Sequence, residues 1–171
     1  MHREEALSLS SRLEAARKLR LLDTAGRLDD LRVPAGNRLE ALAGDHARRQ
    51  SMRVNDQYRV TFRWENGHAY ESRRRGLSLD VGTGLVPAIH PGELLLEEYL
   101  KPLGVGQVEA SKQLGVSLNR LNEIVLGKRG ITADTALRLR RFLKTSPQLW
   151  MRLQADRDLY QAMAREGRKV S

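Results

Sequence analysis

The segment QVEASKQLGVSLNRLNEIVLG occupies residues 107–127 and decides the fold of the second half of the chain. Gln107 to Leu114 has the composition of a short helix, and Gly115 follows it where a left-handed residue commonly ends a helix. Ser117 is a residue type that caps the start of the next helix. With Val116 directed into the core between them, this spacing predicts a tight helix-turn-helix.

The second helix of this motif has two chemically different faces. Leu121, Ile124 and Val125 share the predicted buried face, whereas amide and charged side chains share the other. Such groups read base edges in a DNA major groove, where one bidentate contact contributes about 1–3 kcal/mol of discrimination. The predicted DNA contacts, including two cations placed for phosphate binding, are Gln107, Ser117, Leu118, Asn119, Arg120, Asn122, Glu123, Lys128 and Arg129. The alternative is an ordinary helical hairpin of a structural bundle.

The rest of the second half shows only helical patterns. Thr132 is expected to cap a helix over Ala133–Leu143, and Ser146 with Pro147 to start another that runs through Met163. With Pro91–Leu100, this makes five helices. The last helix is the predicted face of a homodimer, although part of its apolar set must also close the core of the domain. The set is Leu149, Trp150, Leu153, Leu159, Tyr160 and Met163.

In the first half the hydrophobic period changes from that of a helix to that of a strand. Apolar residues recur every three or four positions over Leu9–Leu22, which predicts an amphipathic helix ending near Gly26. Residues 51–64 alternate like a hairpin, Arg38–Leu42 is a candidate third strand, and a turn follows at Glu65-Asn66-Gly67. The predicted fold class is therefore α+β, with a helix and a small antiparallel sheet ahead of an all-α domain.

Charge and composition bound the organisation of the chain. Among 171 residues, 30 Lys and Arg against 21 Asp and Glu give a net charge of +9, which favours a polyanionic partner such as nucleic acid. Basic and glycine-rich residues 72–89 read as a linker between a domain at 1–71 and a domain at 90–171. Arg73–Arg75 is interpreted as a solvated run in that linker, with phosphate binding as the alternative.

Several chemistries are excluded by composition. The chain has no cysteine, which excludes disulfides, zinc fingers and a thiol nucleophile and favours a reducing cytoplasm. His2, His46, His68 and His90 lack the spacing of metal ligands, so no metal site is expected. No cofactor is expected either. No apolar run approaches the roughly 20 residues of a membrane span, and no signal peptide is expected.

Five segments of the second half resemble the HigA antitoxins of the Xre-type repressor superfamily. They are His90–Leu100, Leu114–Val116, Asn119–Ile124, Gly127–Leu139 and Ser146–Trp150. The resemblance extends over nearly all of residues 87–165. It implies a lambda-repressor-like domain that dimerises, binds a palindromic operator, represses its own operon and neutralises a HigB-type toxin.

The first half resembles the HigB toxins, RelE-like ribonucleases that cut messenger RNA on the ribosome. The resemblance is carried by Leu13–Ala25, Ala35–Leu42 and Arg53–Trp64. It implies that the candidate RNA contacts are Arg53, Asn55, Arg59 and Arg63. The toxins end in a strand with an Asp-Tyr-His-like signature, which is absent here after Glu71.

RNA cleavage requires a base and an acid besides cations, so no catalytic residue is assigned. The leading interpretation is a sequence-specific operator-binding autorepressor fused behind an inactive toxin remnant. A self-inhibited, mRNA-cleaving fusion is the alternative, and in that case His68 would replace the lost catalytic group. A third hypothesis is a protein that only sequesters a toxin encoded elsewhere.

Overall fold

The computed structural model describes residues 9–43, 49–56, 58–74 and 89–169. The chain divides into two compact units, Met1–Val86 and Pro87–Ser171. Within the described ranges, no helix is both long enough and apolar enough to cross a membrane.

The first unit combines two helices with a four-stranded sheet. All neighbouring strands are antiparallel, and their order in the sheet follows the chain. The elements are α1 (Leu9–Thr24), α2 (Leu28–Arg32), a 3-10 turn (Ala35–Asn37), β1 (Glu40–Ala41), β2 (Arg49–Arg53), β3 (Arg59–Glu65) and β4 (His68–Arg74). The predicted helix and small antiparallel sheet are thus confirmed.

Strands β3 and β4 form a tight hairpin. Glu65 pairs with His68 across Asn66 and Gly67, whose φ angles of 51° and 79° suit a two-residue type I′ turn. The hairpin turn is confirmed, but β4 itself is not predicted by alternation, because its sequence contains few apolar residues. The strand takes in residues 72–74 of the expected linker. The remainder of that linker, residues 75–88, lies outside the described residues, as do the side chains of Arg73–Arg75.

Helix α1 buries a different face from the one its leucines indicate. Ala15, Lys18 and Leu21, which are not on the predicted face, are buried together with Leu22, whereas Leu13 is 47% exposed. The Lys18 Nζ donates a hydrogen bond to Asn37 Oδ1 at 2.5 Å, and Asn37 Nδ2 donates to the Leu31 carbonyl at 2.6 Å. Because buried polar groups need partners, this chain of bonds holds the 3-10 turn that leads into β1.

The second unit contains the five predicted helices. The first, α3 (Pro91–Leu94), continues directly as a π-helical segment over Leu95–Leu100. The others are α4 (Gln107–Leu114), α5 (Leu118–Val125), α6 (Ala133–Leu143) and α7 (Pro147–Lys169). Helix α7 is longer than its predicted end at Met163.

Trp150 lies at the centre of the core of this unit. It is fully buried, its Nε1 donates a hydrogen bond to Thr145 Oγ1 at 2.8 Å, and its ring centroid lies 5.2 Å from that of Tyr99. Leu149 and Leu153 are buried beside it. These three residues are therefore the part of the α7 set that closes the core of the unit, as expected, and a dimer face is left to the exposed residues further along the helix.

Helix α3 approaches α5 at Gly92. A Cβ atom on Gly92 would lie 1.8 Å from the Ile124 carbonyl oxygen and 2.5 Å from its carbon. His90 caps α3 at the same point, where its Nδ1 accepts a hydrogen bond from the Gly92 N–H at 2.9 Å. Burial, together with the nearby Arg157 guanidinium, lowers the pKa of His90 below the ordinary 6.5, which favours the neutral ring that this acceptor role requires.

Replacing Gly92 with alanine should destabilise the second unit by about 3 kcal/mol, because the backbone of Ile124 cannot withdraw without moving α5. Thermal unfolding followed by circular dichroism measures this loss. The matched control is Gly106→Ala, where a new Cβ would meet nothing within 4 Å and φ is −72°. Equal melting temperatures for the two variants would contradict the close approach of α3 and α5.

Candidate nucleic-acid interface

Helices α4 and α5 form the predicted helix-turn-helix. Gly115 ends α4 in the left-handed region at φ 64° and ψ 39°, and the Val116 N–H donates to the Ser111 carbonyl at 3.0 Å. Ser117 caps α5, since its Oγ accepts a hydrogen bond from the Arg120 N–H at 3.2 Å. Gly115 and Ser117 therefore have their predicted roles, as the left-handed end of α4 and the cap of α5.

The faces of α5 also follow the prediction. Leu121, Ile124 and Val125 are buried, while Leu118 is 46% exposed. The polar side chains of the other face meet those of α4: Gln107, Leu118, Asn119 and Asn122 line one surface depression. Within it, Asn122 Nδ2 donates to Gln107 Oε1 at 3.3 Å, which connects the two helices of the motif.

Glu123 organises the loop that follows α5. Its Oε2 accepts a hydrogen bond from Arg129 Nε at 2.7 Å, and its Oε1 lies 3.4 Å from Asn119 Nδ2. Its backbone carbonyl accepts from the N–H groups of Lys128 and Arg129 at 2.8 and 3.1 Å. The two exposed cations of the loop are thereby held beside the polar face of α5.

Arg120 does not join this group. Its Nη2 donates to Thr135 Oγ1 at 2.8 Å and lies 3.4 Å from Asp134 Oδ2, both on α6. Arg138, also on α6, bonds to the end of α4. The sequence pattern singles out neither partnership, because one arginine on a helix surface looks like another until the neighbouring helix is placed.

In the first unit, the predicted RNA contact Arg59 ties three strands together. Its Nε donates to Ser51 Oγ at 2.7 Å, and its Nη2 donates to the Arg38 carbonyl at 2.9 Å. The same nitrogen lies 3.1 Å from Glu40 Oε2. The guanidinium is therefore already engaged by a carboxylate, a hydroxyl and a carbonyl of its own unit.

The other predicted RNA contacts also have partners close by. Arg53 forms an ion pair with Asp56, and its Nε donates to the Asn55 carbonyl at 3.2 Å. Asn55 Oδ1 accepts from the Tyr58 N–H at 3.0 Å and so shapes the turn between β2 and β3. Arg63 Nε lies 3.9 Å from a carboxylate oxygen, that of Glu65.

His68 is exposed at the start of β4, opposite Glu65 and not in a turn. Arg59 begins β3 and Glu65 ends it, so at about 3.4 Å per residue the histidine lies about 20 Å from Arg59 along the sheet. A phosphate held by Arg59 would be out of its reach. In the described part of the chain, no three His, Cys, Asp or Glu residues are grouped to hold a metal ion; His2 and His46 lie outside it.

Comparisons with known proteins match the two units separately. The family model of the RelE-like toxin of type II toxin-antitoxin system HigB matches residues 2–73, and a helix-turn-helix model matches residues 96–150. Virulence-associated protein I of Dichelobacter nodosus is 51% identical over 86 residues, which are 50% of this chain and 80% of that protein. The chain joins a HigB-like toxin segment to a helix-turn-helix domain of the family of virulence-associated protein I.

Its HigB-like segment spans little more than half of a curated toxin. Toxin HigB-1 of Vibrio cholerae is 51% identical over 53 residues, which are 31% of this chain and 56% of that toxin. For the HigA-type domain, the structure of Pseudomonas aeruginosa antitoxin HigA with higBA promoter aligns at 40% identity and a TM-score of 0.47, covering 49% of this chain and 91% of that one. Both family resemblances drawn from the sequence are confirmed.

Proposed function

We propose that the HigA-type domain binds operator DNA and represses its own toxin–antitoxin operon. The observation that carries the proposal is the exposed polar face of α5, which has two loop cations directly beside it. An asparagine or glutamine side chain can form two hydrogen bonds with one adenine, and Leu118 offers an apolar surface to a thymine methyl. Lys128 and Arg129 are placed for the phosphates that set the register of such a module.

Two hydrogen bonds prepare this face for binding. The bond from Asn122 to Gln107 orients two amides before DNA arrives, so less side-chain freedom is lost in the complex. The bond from Arg129 to Glu123 holds a guanidinium near the helix, and the same carboxylate can accept a hydrogen bond from a cytosine amino group. From this proposed operator binding we infer that the protein acts in the cytoplasm.

We expect Arg129→Ala to weaken binding to the operator and to a scrambled duplex alike, and to reduce the slope of log K against log salt by about one. Asn119→Ala and Asn122→Ala should instead weaken operator binding by about tenfold and leave scrambled DNA unaffected. Fluorescence anisotropy of the full chain with DNA from upstream of its own gene measures both quantities. Arg165→Ala, which removes an exposed cation from α7, is the control. Equal affinities of the unmodified protein for both duplexes would overturn operator recognition.

We propose further that the protein acts as a homodimer through α7. Beyond the buried Leu153, this helix leaves Leu159 61% and Met163 50% exposed. Residues four positions apart lie on one face of a helix, so these two form a single apolar surface. A dimer is also what two half-sites about one DNA turn apart require.

Light scattering of the full chain should give about twice 19.4 kDa, and Leu159→Glu should give the monomer, because a carboxylate placed in an apolar interface loses its hydration. Gln161→Glu adds the same charge to the opposite side of α7 and should leave the dimer intact. Dimers that persist in the Leu159→Glu protein would show that α7 does not form the interface.

We infer that the HigB-like segment is a toxin remnant without ribonuclease activity. Arg53 and Arg59 are held by partners inside the unit, and arginine stays charged near neutral pH, so neither can relay a proton. His68, the one histidine of the described sheet, lies opposite Glu65, at the other end of β3 from Arg59. Capture of a HigB-type toxin encoded elsewhere by the HigA-type domain is compatible with this inference, whereas a self-inhibited ribonuclease is not.

Expression of residues 1–86, with folding checked by circular dichroism, should neither arrest growth nor shorten transcripts. The reason is that the two carboxylates beside these arginines, Asp56 and Glu40, already form ion pairs with them, while His68 lies at the other end of the sheet. Transcript integrity on extracted RNA provides the measurement, and an unrelated HigB toxin expressed in parallel serves as the positive control. Growth arrest that disappears with His68→Ala would contradict the remnant and establish an enzyme.

A further inference from the structure

We propose that Arg138, on α6, is a positioning residue that holds the two helices of the helix-turn-helix in place. Its Nη1 donates hydrogen bonds to the carbonyls of Leu114 and Gly115 at 3.1 and 2.8 Å. Carbonyls at the end of a helix have no partner in the next turn. A charged donor therefore makes strong bonds there and holds the end of α4 against α6.

The other edge of the same guanidinium reaches the start of α6. Arg138 Nε donates to Asp134 Oδ2 at 2.9 Å, and Arg120 Nη2 lies 3.4 Å from that oxygen. The hydrogen bond from Arg138 is the largest influence that lowers the pKa of Asp134, with Arg120 acting in the same direction. The carboxylate therefore stays ionised and joins the two arginines.

Arg120 completes the connection to α5. It belongs to the first turn of α5, and its Nη2 donates to Thr135 Oγ1 at 2.8 Å. Arg138, Asp134 and Arg120, which we call the corner clamp, thus hold both helices of the motif from α6. The end of α4 and the start of α5 are the two points that determine how the polar face of α5 is presented.

Gly115 shows how closely the clamp fits the turn. A Cβ atom at this position would lie 2.9 Å from Arg138 Nη1, and φ is 64°. The residue therefore meets two requirements at once, a left-handed backbone and room for the guanidinium. A planar fork that donates along two edges can satisfy both the carbonyls and the carboxylate, which a single ammonium group cannot.

The inference rests on the proposed operator binding for its functional consequence, so the experiment has one arm without DNA. In the full chain, amide hydrogen exchange is measured by NMR for Arg138→Ala, Arg138→Lys and the control Arg141→Ala, an exposed cation of the same helix. Both Arg138 variants should raise exchange at residues 115–121 by about tenfold and leave that of α7 unchanged. The control should match the unmodified protein. If the alanine variant does not fold, Arg138→Lys, which keeps the charge, provides the same test.

The second arm measures DNA affinity for the same proteins. Both Arg138 variants should weaken operator binding about tenfold. Their affinity for scrambled DNA should change by less than twofold, and the slope of log K against log salt should stay the same. Unchanged exchange at residues 115–121 would overturn the clamp, and so would full rescue by lysine. Equal weakening for both duplexes with a reduced salt slope would make Arg138 a phosphate contact instead. Raised exchange in a protein that never distinguishes operator from scrambled DNA would support the clamp and refute operator binding.

Discussion

The position of α5 depends on one close backbone contact, that of Gly92 with Ile124. Because no side chain separates the two, α3 sets the depth of α5 in the unit directly. His90 caps α3 at this point, and its ring would lie 3.5 Å from a Cβ atom on Gly127, at the end of the motif. Because the inner face of α5 is fixed in this way, its other side chains lie on the outer surface.

Cations have opposite environments in the two units. Arg129 meets one carboxylate at an exposed site, so a phosphate can be added beside it with little rearrangement. Arg59 bonds to a carboxylate, a hydroxyl and a backbone carbonyl that join three strands. Binding RNA would break bonds to a charged donor, each of which contributes about 1.5–3 kcal/mol. The same residue type is therefore open to the phosphate contact that we propose in one unit and joins strands in the other.

Most of the local structure of the HigA-type domain can be predicted from its sequence. Ser117, Thr132 and Ser146 each accept a hydrogen bond from an N–H three residues ahead, and Gly115 has the predicted left-handed backbone. These interactions involve neighbours in the chain and leave a signal in composition and spacing. Strand β4 is different, since its place in the sheet comes from pairing with β3 and not from an apolar pattern of its own.

The sequence by itself determined the two units, the helix-turn-helix and the exposed face of α5, because caps, turns and hydrophobic periods act over a few residues. Only the tertiary structure decided which long side chains are available. Asn119 and Arg120 are adjacent in α5, yet Arg120 bonds to Thr135, 15 residues away. Arg138 likewise reaches carbonyls 23 and 24 residues away. A flexible, charged side chain selects its partner by distance in space, which no local pattern records.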